Sequence, residues 1–279
     1  MSLLITSLNS GSNGNCYYIG NETEAVLVDA GISCLETERR LKRLGLEIEK
    51  IKAIFISHEH KDHISGVVVL AKKYKLPVYI TEGTQQYGKL KIEKQLIHRF
   101  TADEPVLIGN LRVTAFKKNH DAGDPHSFTV ATKWVTIGVF TDIGIVCSNV
   151  IRHFQQCNAA FLETNYDVEM LANGGYPYYL KQRITNGKGH LSNIQALELF
   201  RNNRPPFMSH LVLSHLSKNN NSRELVKELF QKHADSTKII VASRDQETDI
   251  YTILPGGKIT SSKIKKSKPT SEKVQLTLF

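Results

Sequence analysis

Apolar residues in this chain come in short runs separated by amphipathic stretches. Runs at 3–7, 16–19 and 25–28 read as strands, and the first two are joined by Ser10-Gly11-Ser12-Asn13-Gly14-Asn15. That cluster is turn-forming and predicts a hairpin. It lacks the Gly-Lys-Ser/Thr ending of a phosphate-binding loop. Residues 35–44 place Leu35, Leu41 and Leu44 on one side of a predicted helix. Further strands are predicted at 54–57, 78–80, 111–116, 127–131, 134–140, 159–163, 210–213, 238–241 and 249–253. Helices are predicted over 67–73, 144–154, 192–200 and 223–233, with Ser192 as an N-cap. Strands with helices interspersed argue α/β or α+β architecture around a sizeable sheet core. No period of about 20–50 residues recurs, which excludes a solenoid. Near residue 260 the composition turns to Lys, Ser and Thr, dividing the chain into a domain at 1–259 and a basic, flexible tail at 260–279.

The run at 53–56 leads into Ser57-His58-Glu59-His60-Lys61-Asp62-His63. Three imidazoles and a carboxylate crowded onto a turn after a buried strand are hard to explain as packing. In extended chain His58 and His60 point to the same side, because side chains alternate with period 2, while Asp62 and His63 project elsewhere as the chain turns. Such a segment can serve two adjacent metal ions, and imidazole with carboxylate suits zinc, manganese or iron. Other metal-capable side chains also stand just beyond apolar strands. They are His120 in Phe116-Lys117-Lys118-Asn119-His120-Asp121, Asp142 in Thr141-Asp142-Ile143-Gly144, and His215 in Ser214-His215-Leu216-Ser217. Singly each is more often a structural strand-end residue; together with His58–His63 they have the composition of a dinuclear site.

Composition narrows the setting. The chain has 279 residues, 41% hydrophobic and 23% charged, as in an ordinary globular protein. No apolar stretch is long enough for a transmembrane helix, and Met1-Ser2-Leu3-Leu4-Ile5-Thr6 has no basic region for a signal peptide. Cys16, Cys34, Cys147 and Cys157 are scattered, which predicts reduced thiols in a cytoplasmic protein, with Cys16 and Cys147 in the core. The net charge of +9, from 36 basic against 27 acidic residues, favours an anionic partner such as nucleic acid. Part of the excess is local to Lys263, Lys265, Lys266 and Lys268 in the tail.

Taken in order, the HxHxDH segment at His58–His63, His120, Asp142 and His215 resemble the metallo-β-lactamase superfamily, over most of residues 1–255. Val26-Leu27-Val28-Asp29-Ala30-Gly31 is similar to its first motif. Within it the chain looks like the nuclease-like YycJ/WalJ family, through Gly11-Ser12-Asn13-Gly14-Asn15-Cys16, Glu163-Thr164-Asn165-Tyr166-Asp167 and Gly189-His190-Leu191-Ser192-Asn193. Ser214-His215-Leu216-Ser217, followed by Asn219-Asn220, adds to it. One departure is Tyr166, where this pattern has His. The resemblance implies an α+β, four-layer αβ/βα sandwich binding two divalent ions, zinc or manganese. It implies that His58, His60 and His120 hold one metal, Asp62, His63 and His215 the other, and that Asp142 bridges them. Asp29 would orient a ligand His. His190, oriented by Glu163, is the expected proton donor to a departing alkoxide, and Asp62 joins these two in the catalytic group while also serving as a ligand. His98, His126, His153, His210 and His233 fall outside the pattern, and His126 is read as a loop residue.

The function this implies is metal-dependent phosphodiester hydrolysis on DNA, by a 5′-to-3′ exonuclease of DNA repair, with RNA a further substrate to consider. The rivals are a small-molecule thioesterase or lactonase, an RNA-processing nuclease, and a non-catalytic DNA- or clamp-binding adaptor. The complete ligand set argues against the adaptor, and the basic charge against a small ester. No membrane partner is expected. Gln275-Leu276-Thr277-Leu278-Phe279 resembles the pentapeptide by which bacterial repair and replication proteins bind the sliding clamp, the Lys/Ser stretch acting as its tether. Docking of this segment on its own chain is the alternative.

Overall fold

The computed structural model describes residues 1–257. The predicted tail at 260–279 and its pentapeptide lie outside these described residues. Strands β1 (Leu3–Asn9), β2 (Cys16–Gly20), β3 (Ala25–Val28), β4 (Ile51–Phe55), β5 (Val78–Tyr79) and β6 (Ile97–His98) belong to one sheet. β7 (Pro105–Ile108), β8 (Leu111–Lys117), β9 (His126–Ala131), β10 (Thr136–Phe140), β11 (Ala159–Glu163), β12 (His210–Ser214) and β13 (Lys238–Val241) make the other. β14 (Tyr251–Ile253) returns to pair antiparallel with β1. The spatial orders are β14-β1-β2-β3-β4-β5-β6 and β13-β12-β11-β10-β9-β8-β7. Within each sheet a parallel block, β3 to β6 and β10 to β13, adjoins antiparallel strands.

Period-2 alternation assigns each sheet two apolar faces. Val26 and Val28 face the second sheet, where they meet a layer including Phe128, Val139 and Phe161. Leu27, between them, faces outward onto helices α1 (Cys34–Leu44) and α3 (Val67–Tyr74) through Leu41, Val67 and Leu70. Phe140, Leu162 and Leu213 do the same on the far side, against α5 (Ser148–Phe154), α8 (Asn193–Asn203) and α9 (Arg223–Gln231). Three apolar layers thus separate four structural layers, the αβ/βα sandwich. Ser192 caps α8 in a capping box with Gln195, as its position before the apolar run predicts.

The structure departs from the sequence reading in several places. Short elements α2 (Lys61–Ile64), α4 (Glu82–Tyr87), α6 (Val168–Asn173), α7 (Tyr178–Thr185), β6 and β7 are additions. Segments of two to eight residues are too short to show a period. The helix predicted over 144–154 starts only at Ser148, because Gly144 N–H donates to Asn119 O at 2.7 Å and holds that stretch extended. His126 is not a loop residue but the buried first residue of β9. Cys147 is not core: it is the half-exposed residue before α5, whereas Cys16 is buried, and all four cysteines are free. Among the described residues no helix is long and apolar enough to cross a membrane.

Phe161 is fully buried between the sheets, its ring 4.8 Å from that of Tyr17. Phe161→Ala is expected to cost about 3–5 kcal/mol through lost burial and a residual cavity. Urea unfolding followed by circular dichroism should show a lower midpoint at an unchanged slope.

Candidate metal centre

The C-terminal ends of the parallel strands converge on one edge of the sandwich, where the side chains of open α/β sheets meet ligands. Asp29 follows β3, His58 to His63 follow β4, and Asp142, Glu163 and His215 mark the ends of β10, β11 and β12. His120 comes from the turn after β8. Asp29, Asp142 and His215 have φ of 61°, 55° and 55°. A non-glycine residue in this left-handed region costs roughly 1–2 kcal/mol, so the surroundings must hold it. The bend turns each side chain off its strand toward the shared edge. A close approach seats the His turn: a Cβ on Gly31 would lie 1.7 Å from Asp62 O, so only glycine fits.

The predicted ligands come together as two donor sets. His60 Nδ1 is 3.1 Å from His58 Nε2 and 3.3 Å from His120 Nε2. Asp62 Oδ2 is 3.5 Å from His63 Nε2 and 3.4 Å from His215 Nε2. Tetrahedral ligands on bonds of about 2.1 Å stand about 3.4 Å apart, so both sets have the spacing of ligands around an ion. Asp142 reaches both sets, with Oδ2 3.0 Å from His63 Nε2 and Oδ1 3.8 Å from His120 Nε2. Asp142 Oδ2 and His215 Nε2 are buried and form no hydrogen bond. Orphaned polar atoms at this depth are costly, and a cation relieves both. The residues therefore fit a pair of divalent ions.

Other hydrogen bonds fix the rings. His58 Nδ1 meets Ser57 Oγ at 2.9 Å, His63 Nδ1 meets Asp29 Oδ2 at 2.7 Å, and His120 Nδ1 donates to Gly189 O at 2.9 Å. His215 Nδ1 lies 2.9 Å from Glu163 Oε1. In each ring the bond at Nδ1 leaves Nε2 aimed at the donor set, the arrangement by which outer partners select a ligand tautomer. His60 alone presents Nδ1. Asp29 also accepts from Ser57 N and Oγ, both at 2.8 Å, so it orients the His turn as expected.

Electrostatics divide the site. Burial holds the His58 pKa well below its ordinary value and pushes His120 down to about 3, so these rings are neutral. Burial opposes charge on His63 as well, yet Asp142, Asp29 and Asp62 outweigh it and hold its pKa up at about 10. His215 is raised for the same reason, by Asp142, Asp62 and Glu163 against its burial. Protons here occupy the place of cations among carboxylates, and metal uptake must displace them.

Glu163 is wholly buried and all its accepting capacity is used. Oε1 takes His190 Nδ1 at 2.8 Å and His215 Nδ1, and Oε2 takes Ile143 N at 2.7 Å and Leu191 N at 3.2 Å. Burial would raise its pKa, but His190 and His215 hold it at about 2. It is thus an orienting anion, and it serves His215 as well as His190. His190 lines a cleft of about 350 Å³ shared with His60, Asp62, Asp142 and His215. His98, His126, His153, His210 and His233 join none of the donor groups among the described residues.

Sequence reasoning missed two supports. Lys118 is buried, and its Nζ donates to Thr141 O at 2.6 Å, bracing the residue before the left-handed Asp142. Burial lowers its pKa despite the nearby carboxylates. Asn15, at the end of the hairpin turn, places Nδ2 3.2 Å from Asp62 Oδ2 and 3.0 Å from His63 Nε2. Tyr166, which replaces the expected His, is 5% exposed and packs with Leu171 and Ile184 outside the donor sets.

A family model described as a beta-lactamase superfamily domain matches residues 24–216. The chain belongs to the metallo-β-lactamase superfamily and is a metallo-hydrolase. It is 35% identical over 232 residues to Exodeoxyribonuclease YycJ of Bacillus anthracis, covering 81% of this chain and 87% of that protein. It is 34% identical over 223 residues to Exodeoxyribonuclease WalJ of Streptococcus pneumoniae, covering 78% and 83%. The metallo-beta-lactamase fold protein YhfI of Bacillus subtilis is alike in fold, with a TM-score of 0.70 over 90% of this chain and 100% of that one, at 17% identity.

Removing an outer partner should loosen the centre without deleting a donor. Asp29→Ala is expected to weaken zinc affinity about 10–100-fold. Competition against a chromogenic chelator measures it.

Proposed function

We propose that the chain is a DNA exonuclease that removes nucleotides in the 5′-to-3′ direction, acts in DNA repair in the cytoplasm, and uses two zinc or manganese ions. The observation that carries this reading is the pair of donor sets sharing Asp142, beside His190, which Glu163 orients and which also stands within a donor group of Asp142, Glu163 and His215. His58, His60 and His120 would hold one ion and Asp62, His63 and His215 the other. Two close divalent cations supply Lewis acidity toward the attacking and leaving oxygens of a phosphodiester. Glu163 accepts from His190 Nδ1, and in the doubly protonated ring the second proton, on Nε2, would be the one passed to the departing alkoxide. Asp62, at the cleft floor, counts as ligand and catalytic carboxylate together. Lys61 and Arg183 on the cleft wall and a net charge of +9 favour a polyanion over a neutral ester. The exodeoxyribonuclease names of the similar YycJ and WalJ proteins support DNA as the substrate. The 5′-to-3′ polarity and the repair role rest on the family resemblance alone.

The test is digestion of DNA and RNA, labelled at the 5′ or the 3′ end, by chelated protein resupplied with zinc, manganese or magnesium. Release of labelled mononucleotide from 5′-labelled DNA is the expected result. Preference for RNA, or turnover of a thioester or lactone with every nucleic acid left intact, would replace the reading with one of its rivals. Asp142→Ala should lose metal, by elemental analysis, together with activity. His190→Ala should keep its metal and lose activity by about 10²–10⁴-fold.

Outside the described residues, we propose that Gln275-Leu276-Thr277-Leu278-Phe279 binds a sliding clamp and raises the local concentration of enzyme on DNA. A peptide of this segment should bind purified clamp, and one with Leu278 and Phe279 both changed to Ala should not. Equal titration curves for the two peptides would reject it.

A further inference from the structure

We infer that the cleft seats a single terminal nucleotide, with its base laid against an apolar wall of Tyr176, Leu180 and Ile184. This rests on the nuclease reading above and adds to it where the base goes. The wall belongs to the segment between β11 and α8, which carries α6 and α7. Its apolar side chains join none of the three main core layers. They form a cluster of their own, in which Tyr166, Leu171 and Ile184 are buried and Tyr176 and Leu180 pack against them, half-exposed. Tyr166 is a buried member of this cluster. Tyr176, Leu180 and Ile184 line the same cleft as His60, Asp62, Asp142, His190 and His215. The lining of one cavity therefore combines this apolar group with the metal centre.

The chemistry of that division selects its occupant. A nucleotide has a flat apolar face at one end and an anionic phosphate at the other, and the cleft offers a surface for each. Asn219 Nδ2 lies 3.4 Å from the Tyr176 hydroxyl, which ties down the outer end of the ring. Arg183 is held beside the wall by Asp121, with Nε to Oδ2 at 2.5 Å, so its guanidinium reaches the cleft together with a carboxylate that already pairs it. At about 350 Å³ the cleft is near the lower end of the roughly 300–1,000 Å³ range of small-ligand sites, which is room for one nucleotide. Stacking on an aromatic ring tolerates any base, because every base has a π-face. The wall thus binds each new terminus without reading its identity, as stepwise digestion requires.

The experiment compares single-stranded oligonucleotides that end, at the digested terminus, in thymidine or in an abasic tetrahydrofuran residue. The wild-type protein should show a KM about 10-fold lower or more for the thymidine end. Tyr176→Ala should raise KM for the thymidine end by a larger factor than for the abasic end, so that the ratio between the two ends falls toward one. Tyr176→Phe, which keeps the ring and loses the Asn219 contact, should retain most of the preference, and Leu180→Ala should lose part of it. Discrimination by Tyr176→Ala equal to that of the wild type, or equal losses on both ends, would overturn the assignment while the nuclease reading stands. Failure of the wild type to release nucleotide from any DNA end would overturn the nuclease reading, and the wall's role with it.

Discussion

Asp142 is the tie between the two donor sets, and the rest of the centre is arranged around its charge. Its buried carboxylate is 3.0 Å from His63 Nε2 through Oδ2, and 3.3 Å from His215 Nδ1 and 3.8 Å from His120 Nε2 through Oδ1, and Oδ2 accepts no hydrogen bond. A buried anion in this position is unfavourable unless cations adjoin it. The protein itself supplies protonated imidazoles and Lys118, but the neutral His58 and His120 on the opposite side gain nothing from that solution. Divalent ions satisfy both sides at once. They meet the carboxylates as charges and the neutral rings as lone-pair acceptors. The residues that orient the ligands, Asp29, Ser57 and Glu163, then have a purpose that packing alone would not require.

The fold serves this constraint by bringing strand ends from both sheets to one edge. The left-handed turns at Asp29, Asp142 and His215 are conformations that an L-residue adopts at a cost. Each is held by a specific bond: Asp29 by the Ser57 backbone and hydroxyl, and His215 by Ser10 Oγ accepting from its N–H at 2.8 Å. Asp142 is held through Lys118 on Thr141 O. The apolar layers beneath supply the rigidity that makes these turns tolerable, so core packing and site geometry are one problem.

Much of this was legible in the sequence. The main strands and helices were visible because a half-buried strand or helix repeats its apolar positions. The His58–His63 segment was visible because its chemistry is local: four of the predicted ligands, His58, His60, Asp62 and His63, fall within six residues. His120, Asp142 and His215 were weaker signals, each a lone polar residue after an apolar run, and gained weight only as a set. What was not legible is what depends on contacts across the chain. Lys118 reads as one more surface lysine until Thr141 is placed beside it, and Asn15 reads as a turn residue until Asp62 lies against it. Elements such as α6 and α7 escaped because they bury their apolar residues in a small cluster of their own and leave no broad stripe in the sequence. Cys147 was misread because apolar neighbours do not distinguish a core position from a helix entrance.

The segment that sequence periodicity described least joins the most functions. Glu163 orients both His190 and His215 from the end of β11. Two residues on, Asn165 donates from Nδ2 to His215 O at 2.8 Å and also lines the cleft. Tyr166 then anchors the small cluster that carries the apolar wall, and Gly189 returns the chain so that its carbonyl accepts from His120. A Cβ on Gly189 would lie 2.2 Å from Ile184 O, so the return runs against the backbone of the wall itself. The proposed proton donor, the orientation of one ligand from each donor set, and the wall therefore share a single stretch of chain, and a shift in the wall must be felt at His120 and His215. This coupling gives a physical reason for the proposed wall to rest on a hydrophobic cluster of its own. Ile184 belongs to the buried cluster and to the wall alike, so the packing that holds the wall also holds the backbone around Gly189 in register with the metal centre.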